Sequence, residues 1–217
     1  MIGLRGSDDS LDVDLGMGAP VRAVFDLVRD KGFKAYAVPY DALRPMVTPP
    51  ERMKIAIDSG VQMLVDLIGR RSSRCPTEKI VVAGYSLGAE VLGNALGNHD
   101  VGRISAAVLF ADPWFNPKDP VAAGTFDPAY GGQYGFRPVY PSGLVSKTRS
   151  YCRHGDRICQ SGLPNATKVE HGRYVPDQSC EAAKFICTRL GVSPHVQLVV
   201  VWPTGFSKAA TPFGGTL

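Results

Sequence analysis

Lys79-Ile80-Val81-Val82-Ala83 runs straight into Gly84-Tyr85-Ser86-Leu87-Gly88, and Ala89, Leu92 and Leu96 then recur at helical spacing. The stretch reads as a buried strand, a tight turn and a helix. It fits G-x-S-x-G, with the strand and the helix where a nucleophile elbow needs them. The glycines are required because neighbouring backbone comes close at such a turn. The turn lifts the serine Oγ above the sheet edge, beside a helix N-terminus whose N–H groups favour negative charge.

Outward from this turn the chain alternates strand-like and helix-like segments. Short apolar strands are expected at Ile2-Gly3-Leu4, 33–38, 79–83, 104–111 and 148–151. Helical spacing links Val21, Val24, Phe25 and Val28, and then Met53, Ile57, Val61, Leu64 and Ile68 after Pro49-Pro50. A last helix carries Cys180, Ala183, Cys187 and Leu190 on one face. Strands that are apolar throughout are buried on both sides, so the order implies a mostly parallel, five-stranded sheet with helices on both faces. Right-handed crossovers place the C-terminal strand ends on one edge, where ligands bind in open sheets. The domain is expected over 1–191, followed by a tail over 192–217.

The chain of 217 residues suits one domain rather than two. Hydrophobic residues make up 44% and charged residues 20%, which excludes wholesale disorder. No apolar run approaches the ~20 residues that span a bilayer. The net charge of +4 is scattered. It suits a solvated surface, with attraction to an anionic envelope as the sharper reading, and no basic stripe points to nucleic acid. No apolar leader follows Met1, so the chain reads as mature, trimmed or not conventionally secreted. Cys152 and Cys159 flank a turn-like Gly155-Asp156 and suit a short disulfide loop, a bond that persists mainly in oxidising compartments.

Serine needs a base near neutral pH, and histidine suits the task. The chain order serine, acid, histidine of α/β hydrolases favours His154, His171 or His195 over His99, which is expected as an exposed cap. Asp156 follows the last strand on the same edge. His154 is only two residues from it, and His195 lies beyond the last helix. His171 comes fifteen residues after Asp156, which leaves room for the loop to return over Ser86. The loop after the first strand, Arg5-Gly6-Ser7, offers the Ser7 N–H beside that of Leu87 as an oxyanion site. Residues 113–147 are rich in glycine and proline and carry no helical or strand period; they are expected to form a packed excursion, a substrate wall or a lid. The 196–202 run is β-prone and suits an edge strand or a docking surface.

These residues together resemble the cutinase family, which includes acetylxylan esterases and related actinobacterial esterases. The elements are Arg5-Gly6-Ser7, Cys75 eleven residues before Ser86, Gly84 to Gly88, Cys152 with Gly155-Asp156 and Cys159, and His171. The resemblance implies an α/β-hydrolase fold and cofactor-independent, metal-free ester hydrolysis. It implies Ser86 as nucleophile, Asp156 and His171 as partners, and oxyanion donors at Ser7 and Leu87. Arg153-His154-Gly155-Asp156 is also similar to phage lysin B enzymes, which cleave mycolic esters. Three features depart from the family: Cys75 lacks the partner expected just before the first strand, Cys180 and Cys187 are additional, and Leu87 stands where glutamine is frequent. In one helix those two cysteines lie about 10.5 Å apart along the axis, too far to bond, and are expected as buried free thiols.

The expectation is a monomeric, extracellular serine esterase acting on lipid, polyester, acylated-glycan or cell-envelope esters, with no cofactor, nucleic-acid partner or transmembrane segment. Release by lysis is the alternative route outward. The rival readings are a mycolyl-ester-cleaving lysin B-like enzyme, an inactive binding module on the same fold, and an envelope-anchoring role for the tail.

Overall fold

The computed structural model describes residues 1–193. His195, the 196–202 run and nearly all of the expected tail lie outside the described residues. The sheet strands are β1 (Ile2–Leu4), β2 (Tyr36–Ala37), β3 (Ile80–Tyr85), β4 (Ile104–Phe110), β5 (Ala122–Gly124) and β6 (Thr148–Cys152). They form one sheet in the order β2-β1-β3-β4-β6-β5, and every pairing is parallel.

The sheet therefore has six strands where five were expected. The sixth, β5, lies inside the glycine- and proline-rich 113–147 stretch and pairs with Ser150, Tyr151 and Cys152 of β6. Three small residues at a sheet edge are too short to carry a hydrophobic period. The same stretch holds the short helix α4 (Ser142–Val145). The second strand is shorter than its 33–38 expectation because only Tyr36 and Ala37 pair with β1.

Helices α1 (Ala19–Val28) and α6 (Asp177–Leu190) cover one face, while α2 (Pro50–Arg74) and α3 (Leu87–Asn98) cover the other. Strand alternation divides the core accordingly. Ile80 and Val82 of β3 pack with Leu64, Ile68, Leu92 and Leu96. Val81 and Ala83 face Val21, Val24, Ala183 and Ile186. Between Ile80 and Val81 the register against β4 shifts, from Ile104 directly to Ala106. Ser105 is the extra residue, so Ile104 and Ala107 face the same half of the core. Cys187 is buried; Cys180, in the first turn of α6, is only half-buried, unlike the expectation, and neither is bonded. His99 is the exposed C-cap of α3. No helix among the described residues is long and apolar enough to cross a membrane.

The 113–147 excursion is tied down by a buried ion pair. Arg137 Nε donates to Asp112 Oδ2 at 3.0 Å, just past the end of β4. Its Nη1 donates to Asn94 Oδ1 of α3 at 2.7 Å, and its carbonyl accepts from Asn116 Nδ2 at 2.8 Å. Removing the guanidinium leaves Asp112 buried without its counter-ion. Arg137→Met is therefore expected to lower unfolding free energy by about 3–5 kcal/mol, read as a lower urea midpoint at unchanged slope.

Candidate active site

Ser86 sits in the elbow between β3 and α3 with φ 54° and ψ −116°. That backbone is unfavourable for a residue with a side chain and persists only where its surroundings enforce it. The Ser86 N–H donates to the Phe110 carbonyl at 2.9 Å, and its carbonyl accepts from Ala89 and Glu90. A Cβ on Gly84 would lie 2.3 Å from the Gly88 oxygen, and one on Gly88 would lie 2.3 Å from the Leu4 oxygen. Both glycines are thus dictated by backbones that touch.

His171 ends the short helix α5 (Lys168–His171). Its Nε2 is 3.0 Å from Ser86 Oγ, and its Nδ1 is 3.0 Å from both oxygens of Asp156. Asp156 is wholly buried. Its Oδ1 accepts from the Ile158 N–H at 2.8 Å and its Oδ2 from the Tyr174 hydroxyl at 2.6 Å. Burial and the adjacent carboxylate push the Tyr174 phenol far above its usual range, so it stays a donor. Tyr85 stacks on the His171 ring at 5.1 Å and donates its hydroxyl to the His171 carbonyl at 2.9 Å.

The two loops that meet here are pinned to each other. Cys152 and Cys159 are joined and bracket Asp156. Arg153 Nε donates to Glu170 Oε2 at 2.7 Å, and the Thr167 N–H donates to the Gly155 carbonyl at 2.8 Å. Thr167 caps α5 through its side chain. His154 is exposed, and its backbone N–H donates to Thr125 Oγ1 at 3.0 Å.

Ser7 follows β1 on the same edge. Buried Arg5 holds that loop: its Nε donates to the Asp9 carbonyl at 2.8 Å and its Nη2 to the Tyr40 carbonyl at 2.5 Å. Tyr40 returns its hydroxyl to the Arg5 carbonyl, and Asp9 Oδ2 accepts the Gly6 N–H. The Ser7 and Leu87 N–H groups have no hydrogen-bond partner among the described residues. Both residues line the cavity of about 560 Å³ that Ser86 and His171 also line. Pro113, Gln133 and Tyr134 of the anchored excursion form part of its wall. Among the described residues no group of three or more His, Cys, Asp or Glu side chains is arranged to hold a metal ion.

The sequence model of the cutinase family matches residues 1–190. The chain belongs to the cutinase family. The cutinase CUT1 of Coprinopsis cinerea is 31% identical over 136 residues, which is 60% of this chain and 55% of that protein. The chain spans about half the length of the curated relatives it matches. An acetylxylan esterase structure is 25% identical with a TM-score of 0.73, covering 88% of this chain and 97% of its own. Lysin B of Mycobacteriophage D29 is 17% identical with a TM-score of 0.50, a likeness of fold alone.

Ser86, Asp156 and His171 come together around one hydrogen-bonded line, while Ser7 and Leu87 lie beside it. Sequence reasoning missed the positioning roles of Tyr174, Tyr85, Arg5 and Tyr40. Tyr85 lies within the Gly84 to Gly88 motif and Arg5 within Arg5-Gly6-Ser7, but neither spacing nor composition marks Tyr174 or Tyr40. Tyr174→Phe removes a buried donor from a carboxylate, and is expected to lower stability by about 1.5–3 kcal/mol. Tyr85→Phe removes a neutral bond and should cost about 0.5–1.5 kcal/mol. Urea denaturation of both variants checks the order.

Proposed function

We propose that this cutinase-family chain is a serine carboxylic ester hydrolase working through an acyl-enzyme, with residues 1–191 as the working unit. One observation carries the reading: the unbroken line from Ser86 Oγ through the His171 ring to buried Asp156, at the floor of an open cavity. With Nδ1–H donating to Asp156, His171 Nε2 is left as the acceptor that takes the Ser86 proton. Oγ attacks the ester carbonyl carbon. The negative charge collects on the carbonyl oxygen, where the Leu87 and Ser7 N–H groups receive it. His171 returns the proton to the leaving alcohol. It then takes a proton from water, whose oxygen attacks the acyl carbon, and gives that proton to Ser86 Oγ as the bond from Oγ to the acyl carbon breaks and the acid leaves. Asp156 holds the tautomer and stabilises the imidazolium throughout.

The substrates are lipid, polyester, acylated-glycan or cell-envelope esters, and the 113–147 excursion forms a wall of their pocket. The Cys152–Cys159 bond supports an extracellular setting. Ser86→Ala is expected to lower kcat on a short p-nitrophenyl ester by ~10⁴–10⁶-fold with the far-UV spectrum unchanged; retained turnover would refute the nucleophile. A fluorophosphonate should label the native chain at Ser86, whereas an inactive binding module would stay unlabelled. Reducing Cys152–Cys159 frees the loop that holds Asp156, so activity should fall on dithiothreitol treatment, and unchanged rates with both thiols shown free by mass mapping would count against that role.

A further inference from the structure

Glu90 lies one turn after Ser86 on α3 and is only 6% exposed. Its Oε1 accepts from Trp114 Nε1 at 2.9 Å. Its Oε2 has no hydrogen-bond partner among the described residues. Glu90 lines the Ser86 cavity, and it also lines a second cavity of about 480 Å³. Pro45 and Tyr134 are likewise shared, so the two spaces adjoin at these residues. The second cavity reaches Asn94, one further turn along α3. Asn94 Oδ1 accepts from Arg137 at 2.7 Å, and its Nδ2 has no partner among the described residues. Residues four apart share a helix face, so Ser86, Glu90 and Asn94 follow one another at steps of about 6 Å. Across from them the Trp114 and Tyr134 rings stand 5.7 Å apart, tilted by 56°.

This lining has a chemical preference. A plain alkyl chain lying over Glu90 would shut Oε2 away from water and return no hydrogen bond, which is costly. A hydroxyl both donates and accepts, so it satisfies Oε2 in either protonation state of Glu90, and it also accepts from Asn94 Nδ2. Burial pushes the Glu90 carboxyl above the usual carboxylate range, opposed by the Trp114 bond. The two aromatic rings offer an apolar wall to the carbon skeleton that carries the hydroxyls. Sites built around hydrogen bonds to a hydroxyl discriminate strongly against analogues that lack it.

We propose that Glu90, Asn94 and Trp114 form a subsite for hydroxyl groups on the carbon skeleton beside the scissile ester, and that Glu90 selects such esters over their deoxy counterparts. The assignment rests on the ester-hydrolase reading and refines its substrate class. The hydroxyl can belong to the acyl or the alcohol half, so two matched pairs test it. One is p-nitrophenyl 3-hydroxybutyrate against p-nitrophenyl butyrate; the other is glycerol 1-monobutyrate against propyl butyrate. In at least one pair, Glu90→Leu should lower the hydroxylated-to-deoxy ratio of kcat/KM by at least tenfold, and the responding pair names the half. A smaller change in both pairs, in a folded variant still labelled by fluorophosphonate, overturns the subsite. Should Glu90→Leu not fold, Glu90→Gln decides at threefold, because its amide keeps one bond. Failure of the native chain to hydrolyse any of the four esters would instead sink the ester-hydrolase reading. The subsite is then judged in Ser86→Ala by tryptophan emission titrated with 3-hydroxybutyrate and with glycerol. A saturable change with either, abolished by Trp114→Phe, supports it, and none overturns it.

Discussion

The candidate site depends on one steric constraint, the crossing of three backbones at the Ser86 turn. Gly84 and Gly88 lie against each other, and Gly88 lies against the end of β1. Only hydrogen at both α-carbons permits that approach. The approach in turn holds Ser86 at a positive φ and sets α3 so that its first N–H groups face the sheet edge. The same contact brings the β1 end, and with it Ser7, beside Leu87. Ser86 and the unpaired N–H groups of Ser7 and Leu87 are therefore placed by a single packing event.

The second requirement is electrostatic. A carboxylate with no exposure is costly unless its lone pairs are used. Asp156 meets this with the Ile158 N–H, the Tyr174 hydroxyl and the His171 ring. These partners come from its own loop and from the following segment. The disulfide, the Arg153–Glu170 pair and the Thr167–Gly155 bond hold the two segments in place. The imidazole is held at Nδ1 by Asp156 and on its face by the stacked Tyr85 ring. Such a network holds the side chains of Ser86, His171 and Asp156 in register.

The excursion between β4 and β6 has a different logic. It contributes a strand at the sheet edge and a wall of the cavity, and it is attached both by the Asp112–Arg137 pair and by buried Phe115, Val121 and Tyr140. Because Arg137 also binds Asn94, the wall is tied to the helix that begins at Ser86. Trp114 and Glu90 meet across this same seam. Pocket chemistry and loop anchorage are thus coupled through α3.

Much of this was legible from local pattern. The apolar runs of β3 and β4, the periodicity of α2 and the glycines around Ser86 follow from short-range rules, because burial on both faces and close backbone approach each restrict residue choice at fixed spacing. Chain order left His154, His171 and His195 open, and loop length favoured His171 as the partner of Asp156. The edge strand β5 escaped because Ala122, Ala123 and Gly124 have no side chains large enough to declare a face. Tyr174, the Arg5–Tyr40 bonds and the Glu90–Trp114 pair escaped for another reason: their partners lie 18 to 35 residues away along the chain. The amino-acid sequence by itself determined the alternation of elements and the strand–turn–helix around Ser86. Only the tertiary structure decided which buried polar groups satisfy one another, since that depends on distances set by packing of the whole sheet and not by any local spacing.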